Sequence, residues 1–281
     1  MPEKNIEKQR LAAVIGWPVS HSLSPLIHST WAAREGVSAR YDALAVDADD
    51  AMFRKRINEL RAAGYAGVNV TIPHKARALE FADAASPTAR AVGAANMLTF
   101  GDEVLADNSD ALAIADIVGA LPAKPRTALI LGAGGAARAA LWALKTQTVP
   151  RIIISNRTSA RAEEIAPIGS AKIFDWRDRN EALDAADLVI NATSLGMRGQ
   201  PPLDLEIDRL KRGCVVFDIV YAPLETPLLK AARARGLQTI DGLEMLMRQA
   251  APAYRAWFGT RAEIDADLRK RLEAALSERN A

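Results

Sequence analysis

Apolar and polar positions alternate along this chain with two periods, and each switch of period marks the passage from a strand to a helix. Short apolar runs over residues 11–16, 41–46 and 67–72 predict strands, and helical spacing over 25–35 and 49–63 predicts the helices between them. Residues 95–100 and 104–106 flank Gly101-Asp102 and predict a hairpin. The pattern restarts after Leu121-Pro-Ala-Lys-Pro125, with strands expected at 127–131, 151–155, 171–174, 187–191, 214–219 and 237–240 and helices between most of them. A helix over 111–120 bridges the two halves. The chain closes on a helix at 242–257, which Asp241 is placed to cap, and on an amphipathic helix at 261–276. Residues 1–10 are charged and polar and read as a flexible tail.

The fold class that follows is α/β in two domains. Residues 1–110 are expected to form a mainly parallel α/β domain. Residues 111–241 are expected to form a Rossmann-like, doubly wound domain, and the helices of 242–281 to pack back on the first domain.

Composition narrows the function classes. A chain of 281 residues suffices for two modest cores, and 49% apolar content marks it as globular. A net charge of +2 is too balanced for a nucleic-acid binder. No run approaches the ~18 apolar residues of a membrane span, and the polar first residues hold no apolar signal core. The single cysteine, Cys214, excludes an intrachain disulfide and fits a reducing, cytoplasmic compartment. It lies in an apolar run, where it reads as a small core residue. The three histidines, His21, His28 and His74, are scattered without ligand spacing, so no metal site is expected.

The sharpest chemical signal is Thr127-Ala-Leu-Ile-Leu-Gly-Ala-Gly-Gly-Ala-Ala-Arg138, a buried strand, a glycine turn and a helix start. Gly132, Gly134 and Ala137 match the dinucleotide fingerprint G-x-G-x-x-G/A. Gly132 permits the tight turn, Gly134 lets backbone approach a pyrophosphate, and the helix start offers unpaired N–H groups to the anion. The next strand ends in Asn156-Arg157-Thr158, with Arg161 in the following turn. An NAD site would place a carboxylate there for the ribose 2′-hydroxyl. A guanidinium suits a 2′-phosphate, so the expected cofactor is NADP.

Four polar segments of the first half are expected at strand C-termini, where an α/β sheet presents its site. Ser22 and Ser24 precede a helix opening with Pro25, where Ser24 also suits the N-cap and hydroxyls beside a helix N-terminus suit a carboxylate. Asn69 and Thr71 share one face of the strand that leads through Pro73 to Lys75 at the sheet edge. Asn96 precedes an apolar run, and Asp107-Asn-Ser-Asp110 opens the bridging helix, where Asp107 or Ser109 suits the cap. A lysine ammonium beside a carboxylate can protonate the alkoxide that forms when hydride reduces a ketone.

These segments, with Asn191-Ala-Thr193, Asp218-Ile-Val-Tyr221 and Asp241-Gly242…Gln249, occur in an order that resembles the shikimate dehydrogenase family from about residue 11 to residue 258. The resemblance implies reversible reduction of 3-dehydroshikimate to shikimate with NADPH, in chorismate and aromatic amino-acid biosynthesis. It implies Lys75 and Asp110 as the catalytic pair, and Ser22, Ser24, Thr71, Asn96, Tyr221 and Gln249 as substrate contacts. Gly132, Ala133, Gly134, Gly135 and Ala136 match the pyrophosphate loop, and Asn156, Arg157, Thr158 and Arg161 the 2′-phosphate site. Thr193, Ile219 and Gly242 match cofactor positions, the last two near the nicotinamide. Partners are small molecules only, with no nucleic acid and no membrane, in a monomer or homodimer. The chain departs from the usual pattern at His74, Ala111 and Glu244. A quinate/shikimate dehydrogenase of dual specificity and a non-catalytic NADP-binding relative are the alternatives.

Overall fold

The computed structural model describes residues 9–259 and 262–279. It divides into two compact units, one of residues up to Ser109 with Met247–Leu272, the other of Asp110–Leu246 with residues from Glu273 on. The sequence expectation instead placed the breaks after 110 and 241. All three divisions fall inside helices, and residues from Glu273 on group with the second unit.

In the first unit the order is β1 (Arg10–Gly16), α1 (Ser24–Glu35), β2 (Ala39–Ala45), α2 (Asp50–Ala62), β3 (Tyr65–Val70), α3 (Lys75–Phe81), β4 (Ala84–Ala85), α4 (Pro87–Val92), β5 (Met97–Phe100) and β6 (Val104–Asp107). The six strands are ordered β2-β1-β3-β5-β6-β4. β1 pairs in parallel with β2 and β3, and β4 with β6, whereas β5 runs antiparallel to both its neighbours. Ile15, Phe53, Ile57, Val68, Leu98 and Ala106 lie in one buried cluster against this sheet. β1 begins at Arg10, so the expected tail loses its last residue to the sheet; residues 1–8 of that expectation lie outside the described ones.

α5 (Ser109–Gly119) leads into β7 (Thr127–Leu131), α6 (Gly135–Thr146), β8 (Arg151–Ser155), α7 (Ser159–Gly169), β9 (Lys172–Phe174), α8 (Arg179–Leu183), β10 (Leu188–Asn191), β11 (Val215–Asp218), α9 (Pro227–Ala234) and β12 (Gln238–Ile240). Two helices follow, α10 (Gly242–Phe258) and α11 (Ala266–Glu278). The expected start of the last helix, Arg261, lies outside the described residues. The second sheet is parallel throughout, in the order β12-β11-β10-β7-β8-β9. Strand order reverses between β7 and β10, the position at which such sheets open their crevice. Every residue of β7, β10 and β11 is buried, as expected for inner parallel strands covered on both faces. Cys214 joins this core, where burial pushes its thiol up to about 12. It is a packing residue, not a nucleophile.

The part of α10 that belongs to the first unit is seated by aromatic side chains. Trp257 donates Nε1–H to Thr99 Oγ1 at 3.1 Å, and its ring occupies the space where a Cβ on Gly67 would stand. Trp31 Nε1–H donates to Glu263 O at 2.6 Å. Among the described residues no helix is long and apolar enough to cross a membrane.

Candidate active site

The first unit gathers its polar residues by reversing one strand. Because β5 is antiparallel, its N-terminal residue Met97 pairs with Asn69 of β3 and with Asp107 at the C-terminal end of β6. Asn96 therefore reaches the edge formed by the C-terminal ends of β3 and β6 although it precedes its own strand. Asn96 arrives at the C-terminal edge, where the polar segments are expected, from the start of its own strand, because β5 is antiparallel.

A buried line of hydrogen bonds links three of these segments, those of Asn69, Asn96 and Ser109. Ser22 Oγ accepts the Ser24 amide at 3.2 Å. Burial pushes the Tyr41 phenol well above its ordinary pKa, and the Ser24 side chain opposes the shift. Tyr41 Oη in turn donates to Asn69 Oδ1 at 2.6 Å, and Asn69 Nδ2 donates to Asn96 O at 3.2 Å. Asn96 Oδ1 accepts the Ser109 amide at 2.7 Å, and Asn96 Nδ2 donates to Ser109 Oγ at 3.0 Å. Ser24, Asn69, Asn96 and Ser109 are all buried. Ser24 is not the helix cap that its position suggested: it is the first residue of α1, and the N-cap is Leu23, which forms no side-chain bond. Both ends of the Asn69 amide are used inside this line.

Lys75 opens α3, past the C-terminal end of the inner strand β3, and its carbonyl accepts the Ala95 amide at 2.8 Å. That bond ties the lysine to the segment carrying Asn96. Thr71 lies one residue beyond β3, with its amide on Ile15 O at 2.9 Å. Its side chain fills the space that a Cβ on Gly16 would take. His74 is fully buried and stacks on Phe53 at 5.0 Å. Its Nε2 lies 2.9 Å from Val46 O and must donate there, so Nδ1 accepts from Arg77 at 3.3 Å. Both ring nitrogens are thus used, and His74 is a packed core residue. Asp110 is buried next to Ser109, and α5 begins at Ser109 rather than at Ala111. Asp107 accepts from Ser86 Oγ at 2.5 Å and from the Asn108 amide at 2.7 Å.

The second unit presents a cradle for a dinucleotide. Gly132 has φ +112, and a Cβ there would meet Ala192 O at 2.8 Å. Gly134 is the N-cap of α6 with no side-chain cap, and open space surrounds the position of its absent Cβ. The first amides of α6 are therefore left for an external anion. Ala133, Gly135 and Ala136 complete this turn, each partly exposed. At the end of β8, Asn156 Nδ2 donates to Thr158 O at 2.9 Å and holds the turn that carries Arg157, Thr158 and Arg161. All three are exposed, and neither arginine has an ion-pair partner among the described residues. Arg138 on α6, by contrast, is paired with Glu164. These groups fit a diphosphate and a further phosphate.

Thr193 and Ile219 follow the ends of β10 and β11, and Tyr221 lies two residues further on, with its phenol raised by burial against an opposing pull from Arg279. Gly242 starts α10 so close to this loop that a Cβ would collide with Ile219 O. Asp241 caps α10 by accepting the Leu243 and Glu244 amides, each at 3.1 Å. Gln249 is buried on α10, in the first unit. Sequence reasoning did not single out Tyr41, which reads as an ordinary strand former. It quoted Asn191 and Asp218 in motifs without giving either a task.

Two family models match the chain, the "Shikimate dehydrogenase substrate binding domain" over residues 14–98 and "Shikimate / quinate 5-dehydrogenase" over residues 114–199. A shikimate dehydrogenase (NADP(+)) of Methylocella silvestris is 46% identical over 274 residues, which cover 95% of this chain and 97% of that protein. Among solved structures, a shikimate 5-dehydrogenase from Thermus thermophilus in complex with NADP(H) and shikimate is 33% identical, with a TM-score of 0.82 over 96% of this chain and 99% of its own. A quinate dehydrogenase from Corynebacterium glutamicum in complex with NAD is 28% identical, with a TM-score of 0.87 over 95% and 99%.

Proposed function

The chain belongs to the shikimate dehydrogenase family, and we infer from its own side chains which groups carry the family's reaction. That reaction is the reversible, NADPH-dependent reduction of 3-dehydroshikimate to shikimate, an oxidoreductase step of the shikimate pathway. NADPH, when bound, supplies the hydride. Gly132 to Ala136 hold its pyrophosphate through backbone amides, and Asn156, Arg157, Thr158 and Arg161 hold the 2′-phosphate. Thr193, Ile219 and Gly242 flank the nicotinamide.

Ser22 and Ser24 bind the substrate carboxylate, and Thr71, Asn96, Tyr221 and Gln249 orient its hydroxyls. Lys75 gives a proton to the oxygen of the ketone being reduced, and its positive charge favours the developing alkoxide. Asp110 is the carboxylate assigned to partner that ammonium in the reaction. The observation that supports this reading best is the Lys75 carbonyl bonded to Ala95, which fixes the lysine backbone beside Asn96 and the buried line from Tyr41 to Ser109. The experiment is NADPH formation from NADP with shikimate and, separately, quinate. Turnover with shikimate is expected, and none with either would refute the reading. A second reading, dual use of quinate, is favoured by the fold shared with the Corynebacterium quinate dehydrogenase and is decided by the same assay. A cytoplasmic location is the reading supported by the lone, buried thiol of Cys214.

A further inference from the structure

The ends of two adjacent strands in the second unit close on a polar network that the catalytic reading leaves without a task. Asn191 and Asp218 are the last residues of β10 and β11 and pair directly in register. Both are fully buried, as is Thr226. Three donors converge on the Asp218 carboxylate. Asn191 Nδ2–H and the Val220 amide reach Oδ1 at 2.9 and 3.1 Å, and Thr226 O–H reaches Oδ2 at 2.6 Å. Asn191 also shapes the neighbouring loop. Its Oδ1 accepts the Thr193 hydroxyl at 2.7 Å and the Thr193 amide at 3.0 Å, and its Nδ2 also donates to Leu195 O at 3.2 Å. The Ile219 amide is held by Asn191 O at 3.1 Å.

We propose that Asp218, through Asn191, is a positioning residue for hydride transfer, setting the backbone of residues 219–221 and of Thr193 against the nicotinamide. This rests on the functional reading above. Backbone 219–220 is pinned from three sides: by Asn191 O, by Asp218 Oδ1, and by α10, whose Gly242 leaves no room beside Ile219 O. A packed core would need none of this. Burying a carboxylate at the end of an inner strand is costly, and burial does push the Asp218 carboxyl above its ordinary value while its three hydrogen bonds oppose the shift. Such a group earns its place through geometry that an apolar residue cannot set. An aspartate is the residue type required, because every partner is a donor. An asparagine would turn its NH2 toward Thr226, whose Oγ1 already accepts the Leu229 amide at 3.3 Å, and would leave a hydroxyl proton without an acceptor.

The test uses the full chain with Asp218→Asn and Asn191→Ala. In the NADP-free wild type, the Ile219 and Val220 amides are expected to exchange hydrogen as slowly as β11. Exchange as fast as at the exposed Met197 loop would overturn the proposal even if neither variant folds. In the variants, faster exchange is expected at 193–195 and 219–221 only. The KM values for shikimate and NADP are expected to change little, while kcat falls about 10–100-fold. The deuterium isotope effect from shikimate labelled at the oxidised carbon is expected to rise. A merely structural role would lower activity in proportion to folded protein and leave the isotope effect alone, and that result, or retained kcat, would overturn it. Absence of turnover in the wild type would instead refute the functional reading.

Discussion

The Tyr41 hydroxyl donates to Asn69 Oδ1 at 2.6 Å in the buried interior of the first unit. One phenol of β2 thus holds an amide of β3, which itself donates to Asn96 O at 3.2 Å. Tyr41→Phe leaves Asn69 Oδ1 buried without its donor and is expected to cost about 1–3 kcal/mol of stability. KM for shikimate is expected to rise while KM for NADP stays constant, as steady-state kinetics on both substrates would show. Equal shifts in both would separate Tyr41 from the substrate face.

His28 lies in a nest of aromatic rings, stacked on Tyr41 at 3.9 Å with Trp31, Tyr254, Trp257 and Phe258 around it. Neither ring nitrogen has a hydrogen-bond partner among the described residues, and burial pulls its pKa down to about 3. The unfolded chain takes up this proton near 6.5. Between those values the unfolded state binds more protons. Stability is therefore complete above 6.5 and declines as pH falls toward 3, by up to about 1.4 kcal/mol per pH unit from this group. His28→Phe is expected to lose less melting temperature than wild type between neutral pH and pH about 4. Parallel losses would contradict this.

Arg157 is exposed, with no ion-pair partner among the described residues, at the end of β8. Arg157→Ala is expected to weaken NADP use by about 1.5–3 kcal/mol, the range of a charge-assisted contact, and to leave NAD use nearly unchanged. The ratio of kcat/KM for the two cofactors measures it. An equal loss for both would remove this side chain from the 2′-phosphate.

Gly132 combines φ +112 with Ala192 O at 2.8 Å from the place of a Cβ. Gly132→Ala is expected to lower stability by about 1–3 kcal/mol and to weaken NADP binding, because the turn must open. Calorimetric melting and titration of NADP report both, and an unaltered melting temperature would mean the turn relaxes freely.

Much of the second unit was legible in the sequence. The runs at 127–131 and 151–155 became β7 and β8 with the expected bounds, since a strand buried on both faces reads as an unbroken apolar run. The site of the first unit was less so. α3 and α4 are too short to show helical periodicity, and no local pattern tells that β5 runs antiparallel, which is what carries Asn96 to the edge. Ser24 looked like a cap because hydroxyls before a helix usually are, yet the helix starts one residue earlier than the pattern suggests and takes Ser24 as its first residue. Asp218 resembles any strand end until Asn191, Val220 and Thr226 are seen to converge on it.

The heaviest chemical duty in the proposed reaction is the one assigned to Lys75, protonation of the reducible oxygen. Turnover of shikimate with NADP by Lys75→Ala, followed at the NADPH absorbance band alongside NADP affinity, decides whether it carries that duty. A loss of about 10²–10⁴-fold in kcat, with NADP affinity held, is the expected result. A rate near that of the wild type would contradict the assignment of this lysine to the reaction.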